Sequence, residues 1–539
     1  MNADRSWERL GIACAGGCLL LCSVLAAAAE PAAPAGPSAR FDIWEIAVDG
    51  NSVLDDEAIE QAIAPFLGPG RTPDAIDKAR EALENVYRER GYRTVSVAIP
   101  RQNVREGVVV LQVTEGRVGH LNVVGSEYHS IEKIKAEATS LAEGSVPNFN
   151  QVREDLVSLN RQADRRVAPS LKAGATPGTV DVDLVVDDDL PLHGSLEFNN
   201  RHSQDTSFMR GTASLSYANL WQRGHSLSLS YTTAPLKPSE VQVWFGSYLS
   251  PLRDSPWSLL FNALQSDSNV ATVGGIEVVG NGKSFGLRAV RQLEGGEGFY
   301  PSISLGVDYK KFRNLTMLGS SSFQTPATYY PLTLGYSAFF RGERHEVQGD
   351  LSMSFASPQL GSDSETLQLN RFSARGQMFY LRGSVSDTLN FANGMQLWGR
   401  LAGQTTDQPL ISNEQFSAGG MDTAAGYLEA EAQGDWGLGA QLELRSPSIG
   451  EGIRFGSAVQ PIQELRLHAF LHGADLHLRG PLPDASTPDS TELLSTGLGL
   501  RLRLYSHFNT DLAWALPLID GPTTNAHESR ALFRVWSHF

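Results

Sequence analysis

The sequence predicts a membrane β fold, in which a sixteen-stranded antiparallel outer-membrane β-barrel follows two small periplasmic α+β domains of β-α-α-β-β order. Three observations predict it. Residues 1–29 have the pattern of an export signal, residues 41–189 contain an internal β-α-α-β-β repeat, and from residue 193 onward apolar and polar residues alternate with period 2. Because the chain after the signal has no apolar run of about 20 residues, the alternating segments are its candidates for crossing a membrane.

The composition excludes several classes of protein. The chain has 539 residues, of which 60 are acidic and 44 are basic, so its formal net charge is −16. This length exceeds one ordinary globular core, and a hydrophobic content of 41% is too high for a disordered chain. The acidic balance argues against nucleic acid as a partner. We therefore expect several folded units and no nucleic-acid binding.

Residues 1–29 are predicted to be a signal peptide. Two arginines precede an apolar stretch that ends in small residues, with cleavage expected after Ala29. The alternatives are an uncleaved membrane anchor and a lipoprotein modified at Cys18. All three cysteines precede residue 23, so the mature chain is expected to lack disulfides, thiolate catalysis and cysteine-bound zinc. A Pro/Ala linker, residues 30–40, follows the signal.

Two α+β units are predicted, over residues 41–116 and 117–189. In the first unit a helix begins at Thr72, which is followed by proline, and its apolar positions recur at helical spacing: Ile76, Ala79, Leu83 and Val86. Alternating strands rich in valine follow this helix. The second unit repeats the order, with helices near 130–142 and 150–162.

Residues 190–539 are predicted to form the barrel. In a soluble sandwich the leucine face of each strand would pack on a second sheet, whereas in a membrane barrel it faces lipid and the polar face lines a wet lumen. The export signal and the aromatic C-terminus, Trp536 and Phe539, favour the barrel. Sixteen segments are predicted as strands: 193–201, 207–218, 225–234, 239–249, 257–266, 284–293, 300–311, 328–340, 344–356, 370–382, 394–404, 434–446, 462–474, 493–506, 507–516 and 530–539.

Four connections between these segments are longer than the rest: residues 312–327, 357–369, 405–433 and 517–529. Long connections of a barrel face outward or enter its pore. The longest of the four is 405–433, so it is the first candidate for a segment inside the pore.

Several short motifs of the mature chain occur together in one known family. The stretch 91–118 carries the spacing P-x-Q-x4-G-x5-V-x-E-G, and its motif residues are Gly91, Tyr92, Pro100, Gln102, Gly107, Glu115 and Gly116. Further segments are NLWQRGH at 219–225, YLSPL at 248–252, EQFSAGG at 414–420, GYLEAEAQGD at 426–435 and ELRSPS at 443–448. Together they resemble two-partner secretion transporters of the TpsB type, the haemolysin and haemagglutinin secretion family.

The resemblance implies a protein translocase in the outer membrane of a Gram-negative bacterium, with residues 41–116 and 117–189 as periplasmic POTRA domains. Its partner would be a large secreted β-helical exoprotein of the TpsA type, encoded nearby. The POTRA domains and their motif residues would capture this client unfolded, by strand addition at an open sheet edge, and export would need no ATP. Further partners would be outer-membrane lipid and the barrel assembly machinery, for which Phe539 would be the signal.

The resemblance also implies that the 405–433 segment enters the pore, with six residues at or near its tip: Gly419, Gly420, Ala424, Ala425, Gly426 and Tyr427. Transporters of this kind typically carry Val-Arg-Gly-Tyr at the tip, and the arginine pairs with the aspartate of a Phe-x-Asp motif on a barrel strand. In this chain Ala425 stands for the arginine, and His472, two residues after Phe470, stands for the aspartate. Losing both charges leaves none uncompensated, so the barrel can fold. The loop is then expected to be held less firmly.

No catalytic residue, metal site or cofactor is predicted. His468 and His472 lie on a predicted strand about 13 Å apart, too far for one metal ion, and His477 lies beyond an apparent phase slip. No G-x-S-x-G elbow occurs, and Glu429 and Glu431 are interpreted as solvated carboxylates. An assembly factor of the same superfamily, an activity-impaired transporter, a solute porin and an enzyme are the alternative functions.

Overall fold

A computed structural model describes residues 40–104, 106–160, 162, 164–204, 206–253, 255–268, 270–273, 276–279, 281–318, 321–374, 376–449, 462–481 and 488–539. The predicted signal peptide and all but the last residue of the linker lie outside this part. The chain divides into two compact units. The first comprises the described residues up to His120 together with Ser140–Arg153 and Lys172–Asp181, and the second comprises Leu121–Thr139, Glu154–Leu171 and Val182–Phe539.

The first repeat contains five strands and two helices. They are β1 (Phe41–Ile43), β2 (Glu45–Asp49), α1 (Asp56–Ile63), β3 (Gly68–Arg71), α2 (Pro73–Glu89), β4 (Val95–Ala98) and β5 (Val108–Glu115), with a 3₁₀ turn at Ala64–Phe66. Strands β2, β5 and β4 form one sheet in that order, and β1 pairs with β3. The predicted β-α-α-β-β order is therefore present, with the short β1–β3 pair added to it.

The first turn of helix α2 and most of its buried face agree with the pattern in its sequence. Pro73 occupies the first turn, where its missing N–H has no intrahelical partner to lose. Thr72 occupies the N-cap position, and its side chain makes no capping hydrogen bond. Tyr87 is fully buried, whereas the predicted core residue Val86 is only partly buried. The buried face is thus shifted by one residue at the C-terminal end of the helix.

The second repeat contains three strands and two helices: β6 (Arg117–Val124), α3 (Ile131–Glu137), α4 (Phe149–Leu159), β7 (Arg165–Ala173) and β8 (Thr179–Asp188). Its sheet has the order β6-β8-β7. Helix α3 is shorter than the predicted segment 130–142, because the chain leaves the helix at Ala138 and forms a 3₁₀ turn at Thr139–Leu141. The boundaries at residues 116 and 189 stay predictions.

A buried carboxylate organises the loop after β6. The side chain of Asp188, at the end of β8, is fully enclosed and accepts hydrogen bonds from the backbone N–H groups of Glu127, Tyr128 and His129 at 2.9–3.0 Å. It also accepts from the Ser126 hydroxyl at 3.2 Å, and the His129 ring Nδ1 lies 3.0 Å away. Burial alone would raise the pKa of Asp188, but these hydrogen bonds outweigh it and lower the pKa.

Replacing Asp188 by alanine should release this loop. Its donors would lose a charged acceptor, and hydrogen bonds to a charged group contribute about 1.5–3 kcal/mol each, so we expect a local loss of at least about 3 kcal/mol. Amide hydrogen exchange over residues 126–130 measures the effect. The matched control is Asp187→Ala, because Asp187 is exposed on the same strand. Equal protection in the two variants would contradict this role of Asp188.

The remainder of the chain forms strands β9 to β29. They are β9 (Leu192–Asn199), β10 (Arg210–Leu220), β11 (His225–Thr233), β12 (Gln242–Pro251), β13 (Trp257–Asp267), β14 (Val270–Val273), β15 (Ile276–Val279), β16 (Asn281–Gln292), β17 (Phe299–Leu318), β18 (Ser321–Tyr329), β19 (Leu332–Arg341), β20 (His345–Ala356), β21 (Met378–Asn390), β22 (Gln396–Thr405), β23 (Phe416–Ala418), β24 (Ala432–Gly434), β25 (Trp436–Arg445), β26 (Ile462–His477), β27 (Ser490–Leu504), β28 (Phe508–Pro517) and β29 (Arg530–His538). A single helix of the described residues lies among them, α5 (Ser364–Asn370).

Sixteen of these strands close into an antiparallel barrel, which confirms the predicted fold class. The ring runs through β9–β13, β16, β17, β19–β22 and β25–β29, and it closes where β29 pairs with β9. Strand β17 pairs with β19 in its first half and with β18 in its second half. Strands β14 with β15 and β23 with β24 form separate two-stranded pairs.

The alternating pattern determines which side chains face outward. In β27, Leu498 is 63% exposed, whereas Arg501 forms ion pairs with Glu443 on β25 and Asp511 on β28. From residue 498 to residue 504, the leucines and the arginines of this strand therefore lie on opposite faces of the barrel wall. Large apolar residues are likewise exposed on other strands, including Leu215 and Leu229, as expected for a surface that contacts lipid.

Two predicted segments differ from the structure. Residues 312–327 were predicted as a connection, but the period-2 pairing continues through the end of β17 into β18, as a hairpin beyond the ring. Residues 370–382 were predicted as a strand, but the strand is Met378–Asn390. Helix α5 precedes this strand. The helix is stabilised by its cap, in which the Asp363 side chain accepts a hydrogen bond from the Thr366 N–H at 2.8 Å, and by burial of Leu367.

None of the described helices combines the length and the apolar character that a membrane span requires.

Candidate functional site

The connection between β22 and β25 lies within the barrel; we call it the lumen loop, residues 406–435. It contains a 3₁₀ turn at Ser412–Glu414 and the hairpin of β23 and β24. Its side chains contact β17, β18 and β21 on one side and β26 and β27 on the other. A segment that reaches strands far apart in the ring must cross the interior of the barrel.

The base of the lumen loop is anchored by Glu414. Its carboxylate is nearly fully buried. It accepts hydrogen bonds from the Lys310 ammonium at 2.6 Å and from the hydroxyls of Tyr329 and Tyr380 at 2.6 and 2.5 Å. Burial alone would raise the pKa of Glu414, but the Lys310 charge and these hydrogen bonds outweigh it and lower the pKa. The contacts join the loop to β17 and β21 of the barrel and to the adjoining strand β18.

The other end of the loop is held by Asp435, which is fully buried. One carboxylate oxygen accepts the Leu410 N–H at 2.8 Å and the Gln415 side-chain amide at 3.0 Å. The other accepts the Arg479 N–H at 2.6 Å and lies 3.1 Å from the Arg371 guanidinium. The carboxylate thus ties both ends of the loop to the segments that follow α5 and β26.

The tip of the loop packs against β26 and β28. Ala425 is buried with Phe470 and Ala515, and its backbone N–H lies 3.4 Å from Nδ1 of His472. The rings of Phe470 and His472 stack with their centroids 4.6 Å apart. The structure therefore brings together the two positions where the resemblance implies an ion pair, and the contact between them is a weak hydrogen bond.

Gly426 and Tyr427 complete the tip. Gly426 has a φ of +100°, and a Cβ atom there would lie 3.1 Å from Pro517, so a side chain would be strained. The Tyr427 hydroxyl lies 2.8 Å from the carbonyl of Ile519 and 3.0 Å from that of Leu494, and it accepts the Leu494 N–H at 3.2 Å. Ala424, on the other side of Ala425, is fully buried.

The interpretation of Glu429 and Glu431 as solvated carboxylates was wrong. Glu429 is 9% exposed, and its Oε1 lies 3.0 Å from the Arg201 guanidinium. Glu431 accepts the N–H groups of Thr523 and Thr524 at 3.0 and 2.7 Å. Both residues lie in the loop rather than on a strand, so the alternation of polar and apolar residues there does not mark a solvated face.

Next to the loop the barrel encloses a cavity of about 620 Å³. Loop residues including Gly419, Met421 and Asp422 line one part, and side chains of the barrel wall line the rest. Six arginines contribute to its lining: Arg201, Arg382, Arg400, Arg445, Arg501 and Arg534. Four carboxylates line it as well: Asp422, Glu429, Glu443 and Asp511. Charged groups of both signs therefore surround the cavity, which suits water and polar chain segments rather than a purely apolar ligand.

The histidines of β26 do not form a metal site. His468 and His472 face the cavity, and His477 stacks on Trp436 with ring centroids 4.0 Å apart. Pairing of β26 with both neighbours is regular through residues 468–477, so the expected phase slip is absent. Within the described ranges, no group of three metal-ligating side chains is close enough to hold an ion.

The motif residues of the first repeat stabilise its fold. The Gln102 amide donates to the Val110 carbonyl at 2.8 Å and accepts the Val110 N–H at 2.7 Å. Gly107 has a φ of +76°, and a Cβ atom there would lie 2.4 Å from the Trp44 ring. The nearly buried Glu115 accepts the N–H of Ser52.

The remaining motif residues have similar roles. Gly91 accepts the Phe149 N–H at 2.9 Å, Tyr92 N–H donates to the Tyr87 carbonyl at 2.8 Å, and Gly116 N–H donates to Thr94. Pro100 lies two residues after the end of β4 and is partly buried. Their contribution to client binding stays a prediction.

Sequence reasoning used the Asn219–Gly224 turn for the resemblance but assigned it no role. Trp221 and Gln222 both have positive φ angles, +55° and +56°. The Gln222 amide accepts the Ser130 N–H at 3.1 Å and donates to the Tyr128 carbonyl at 2.8 Å. This turn between β10 and β11 therefore holds the loop that Asp188 organises. Two adjacent non-glycine residues in a left-handed conformation could not be inferred from the residue types.

Two family models match this chain. The model of the POTRA domain, ShlB-type, matches residues 41–116, and that of the haemolysin secretion/activation protein ShlB/FhaC/HecB matches residues 178–471. The second match alone covers more than half of the chain. The chain belongs to the ShlB/FhaC/HecB family. It is thus an outer-membrane transporter of the two-partner secretion type, whose POTRA region is periplasmic.

Individual relatives agree with this family. The outer membrane transporter CdiB of Dickeya dadantii is 20% identical over 433 residues, which cover 75% of this chain and 72% of the relative. The structure of CdiB from Escherichia coli has a TM-score of 0.63 at 19% identity, over 95% of this chain and 93% of that one. BamA from Haemophilus ducreyi lacking POTRA domains 1–3 has a TM-score of 0.54 at 17% identity, over 93% of this chain and all of that one. These structures show that the fold is shared.

Proposed function

We propose that this transporter exports one large β-helical exoprotein of the TpsA type, encoded nearby, which it captures unfolded through its POTRA region. Family membership and the lumen loop inside a sixteen-stranded barrel support the proposal. The curated relatives are named as outer membrane transporters, which agrees with a transport function rather than an enzymatic one. We likewise propose that the barrel assembly machinery recognises the chain through its C-terminal strand.

The proposal includes export without ATP. The sequence carries no nucleotide-binding motif, and a client that folds outside the cell is removed from the equilibrium between the two sides of the membrane. Folding of the client would thereby give the direction of transport. This mechanism needs a chain that is still extended when it reaches the barrel.

An open sheet edge is the feature that suits an extended client. The sheet of the first repeat has two edge strands, β2 and β4. In β4, Gly116 N–H donates to Thr94, so the N–H groups of Ser96 and Ala98 point to β5 and those of Val95 and Val97 point away from it. Among the described residues, no main-chain hydrogen bond reaches that outer side of β4.

The edges of the second repeat are partly occupied. Val118 on β6 exchanges hydrogen bonds with Gly144 and Ser145 at 2.7 and 2.8 Å. On β7, both backbone groups of Val167 are bonded by the Asn160 side chain at 2.6 and 3.0 Å. We therefore assign client capture to β4 of the first repeat.

A cross-linking experiment tests this assignment. A photo-activatable cross-linker attached at Ala98→Cys should form adducts with a co-expressed client, because Ala98 is exposed on β4. The matched control is Ala168→Cys on β7, which is equally exposed but lies on an occupied edge. The mature chain would contain no other thiol if cleavage follows Ala29. Equal adducts at both positions, or adducts at Ala168 alone, would contradict capture at β4.

The alternative of an activity-impaired transporter rests on the missing arginine and aspartate. The lumen loop is nevertheless held at its base by Glu414 and Asp435 and at its tip by Tyr427. These contacts favour a loop with a defined position over a loosely held one. A fold shared with BamA supports no choice of an assembly function, since it is a likeness of fold alone.

A further inference from the structure

One arginine outside the lumen loop contacts the loop on both sides of the loop's tip. Arg201 lies two residues after the end of β9, and its side chain is 12% exposed. Its Nε lies 3.0 Å from Oε1 of Glu429, and its Nη2 is paired with the carboxylate of Asp422. Asp422 precedes the tip residues Thr423–Tyr427 and Glu429 follows them, so one guanidinium joins the two sides of the tip.

The surrounding backbone fixes this geometry. Arg201 N–H donates to the Asn199 side chain at 2.9 Å, and the carbonyl of the adjacent His202 accepts the Glu429 N–H at 3.0 Å. The Met421 N–H also donates to Glu429, at 3.2 Å. Gly420 has a φ of +90°, and a Cβ atom there would lie 2.3 Å from the Glu429 carboxyl carbon. A glycine at 420 therefore leaves the space in which the Glu429 carboxylate meets Arg201.

Arg201 has its two carboxylate partners only when the loop is in place. Two carboxylates of the loop face one guanidinium, and the neighbouring Arg400 donates to the Asp422 carbonyl at 3.4 Å. Burial would lower the pKa of Arg201, but the two carboxylates raise it above its ordinary value. Arg201 is thus a permanent cation. If the loop moved away, the guanidinium would lose both carboxylates and would be left to water or without a partner.

We propose that Arg201 is the positioning residue of the lumen loop, which holds the loop tip against β26 through Asp422 and Glu429. The polarity is the reverse of the pair that the resemblance implies, since here the loop supplies the carboxylates and the barrel supplies the arginine. We call the contacts of Arg201 with Asp422 and Glu429 the clamp. Its consequence for export rests on the proposed function, since a client can pass the tip only after the clamp opens. The clamp itself is a property of the empty barrel and is tested without a client.

Thiol labelling measures the position of the tip. Ala425 is 4% exposed, so a cysteine at that position should react slowly with a water-soluble maleimide in the full-length protein. Adding Arg201→Gln should raise the labelling rate by about tenfold or more, because breaking a buried ion pair from one side is strongly destabilising. Arg201→Lys, which keeps the charge but loses the forked geometry, should give an intermediate rate.

The matched control is Arg288→Gln. Arg288 pairs with Asp308 at 2.9 Å between two barrel strands and does not contact the loop, so its loss should leave the labelling of Ala425→Cys unchanged. Exchanging the charges in Arg201→Glu with Glu429→Arg should restore slow labelling relative to either single variant. A folded barrel in each variant is verified by its heat-modifiable migration on gels.

Three results would overturn the proposal. They are an unchanged labelling rate in folded Arg201→Gln, an equal rise in Arg288→Gln, and a charge exchange that labels as fast as its single variants. If Arg201→Gln and Arg201→Lys both fail to fold, Asp422→Asn must raise labelling instead, and no rise there would also overturn the clamp. Since labelling needs no client, these outcomes are independent of whether the chain exports an exoprotein.

Discussion

Replacing Glu414 by glutamine should destabilise the barrel by about 3–5 kcal/mol, because the Lys310 ammonium would remain inside the wall without its counter-charge. The Tyr329 and Tyr380 hydroxyls would also lose their ionised acceptor. Unfolding in urea, followed by tryptophan fluorescence of the detergent-solubilised protein, measures the loss. The exposed carboxylate Asp407 lies in the same loop, so Asp407→Asn is the matched control and should change stability by less than about 0.5 kcal/mol.

A second variant separates the ion pair from general damage at the site. In Glu414→Gln with Lys310→Met both charges are gone, and we expect most of the stability to return, since no buried charge is left without a partner and the amide oxygen at position 414 can still accept a tyrosine hydroxyl. If the double variant is as unstable as Glu414→Gln alone, an uncompensated Lys310 charge is not the cause of the loss.

Acid should reproduce part of this effect. The pKa of Glu414 is below its ordinary value of 4.5, so the stabilisation is complete above pH 4.5 and is lost as the pH falls through the lowered pKa of the folded state. The same urea titration at decreasing pH measures this loss, which should be absent in the double variant.

Removing Phe539 should reduce the amount of folded protein in the outer membrane several-fold. The barrel closes along a seam where β29 pairs with β9, and this pairing covers only Arg534–His538. Phe539 extends the seam, because its backbone exchanges hydrogen bonds with Gly194 at 3.0 and 3.2 Å. Phe539 is 70% exposed, as required of a residue that another protein recognises. The assay is the level of heat-modifiable protein in isolated outer membranes.

Two further variants assign the cause of this loss. Phe539→Ala keeps both main-chain hydrogen bonds and removes the ring, so it should be as deficient as the deletion if the ring is the assembly signal. Phe508→Ala removes an exposed aromatic residue from the neighbouring strand β28 and should assemble normally. Undiminished levels of Phe539→Ala would contradict the role of the ring and would leave the seam contacts as the cause.

The fold class was predictable because its signals are local. The period-2 pattern of leucines and arginines in β27 decides which side chains face lipid, and apolar residues alternate with serine in the same way in β11. The helix spacing at Ile76, Ala79 and Leu83 identified the buried face of α2 in the same way. The errors at β17, β18 and α5 arose where an alternating hairpin extends beyond the ring of sixteen strands or where a capped helix replaces part of a connection.

By itself, the sequence determined the sixteen strands, the α+β repeats before them, the family and the segment that enters the pore. Only the tertiary structure decided how that segment is held. Glu414 meets Lys310 across 104 residues and Arg201 meets Glu429 across 228, and no periodicity or spacing in a sequence reports contacts of that separation. Carboxylates that look solvated in a loop become buried anchors once the barrel closes around them, because a closed wall removes water and leaves only opposite charges as partners.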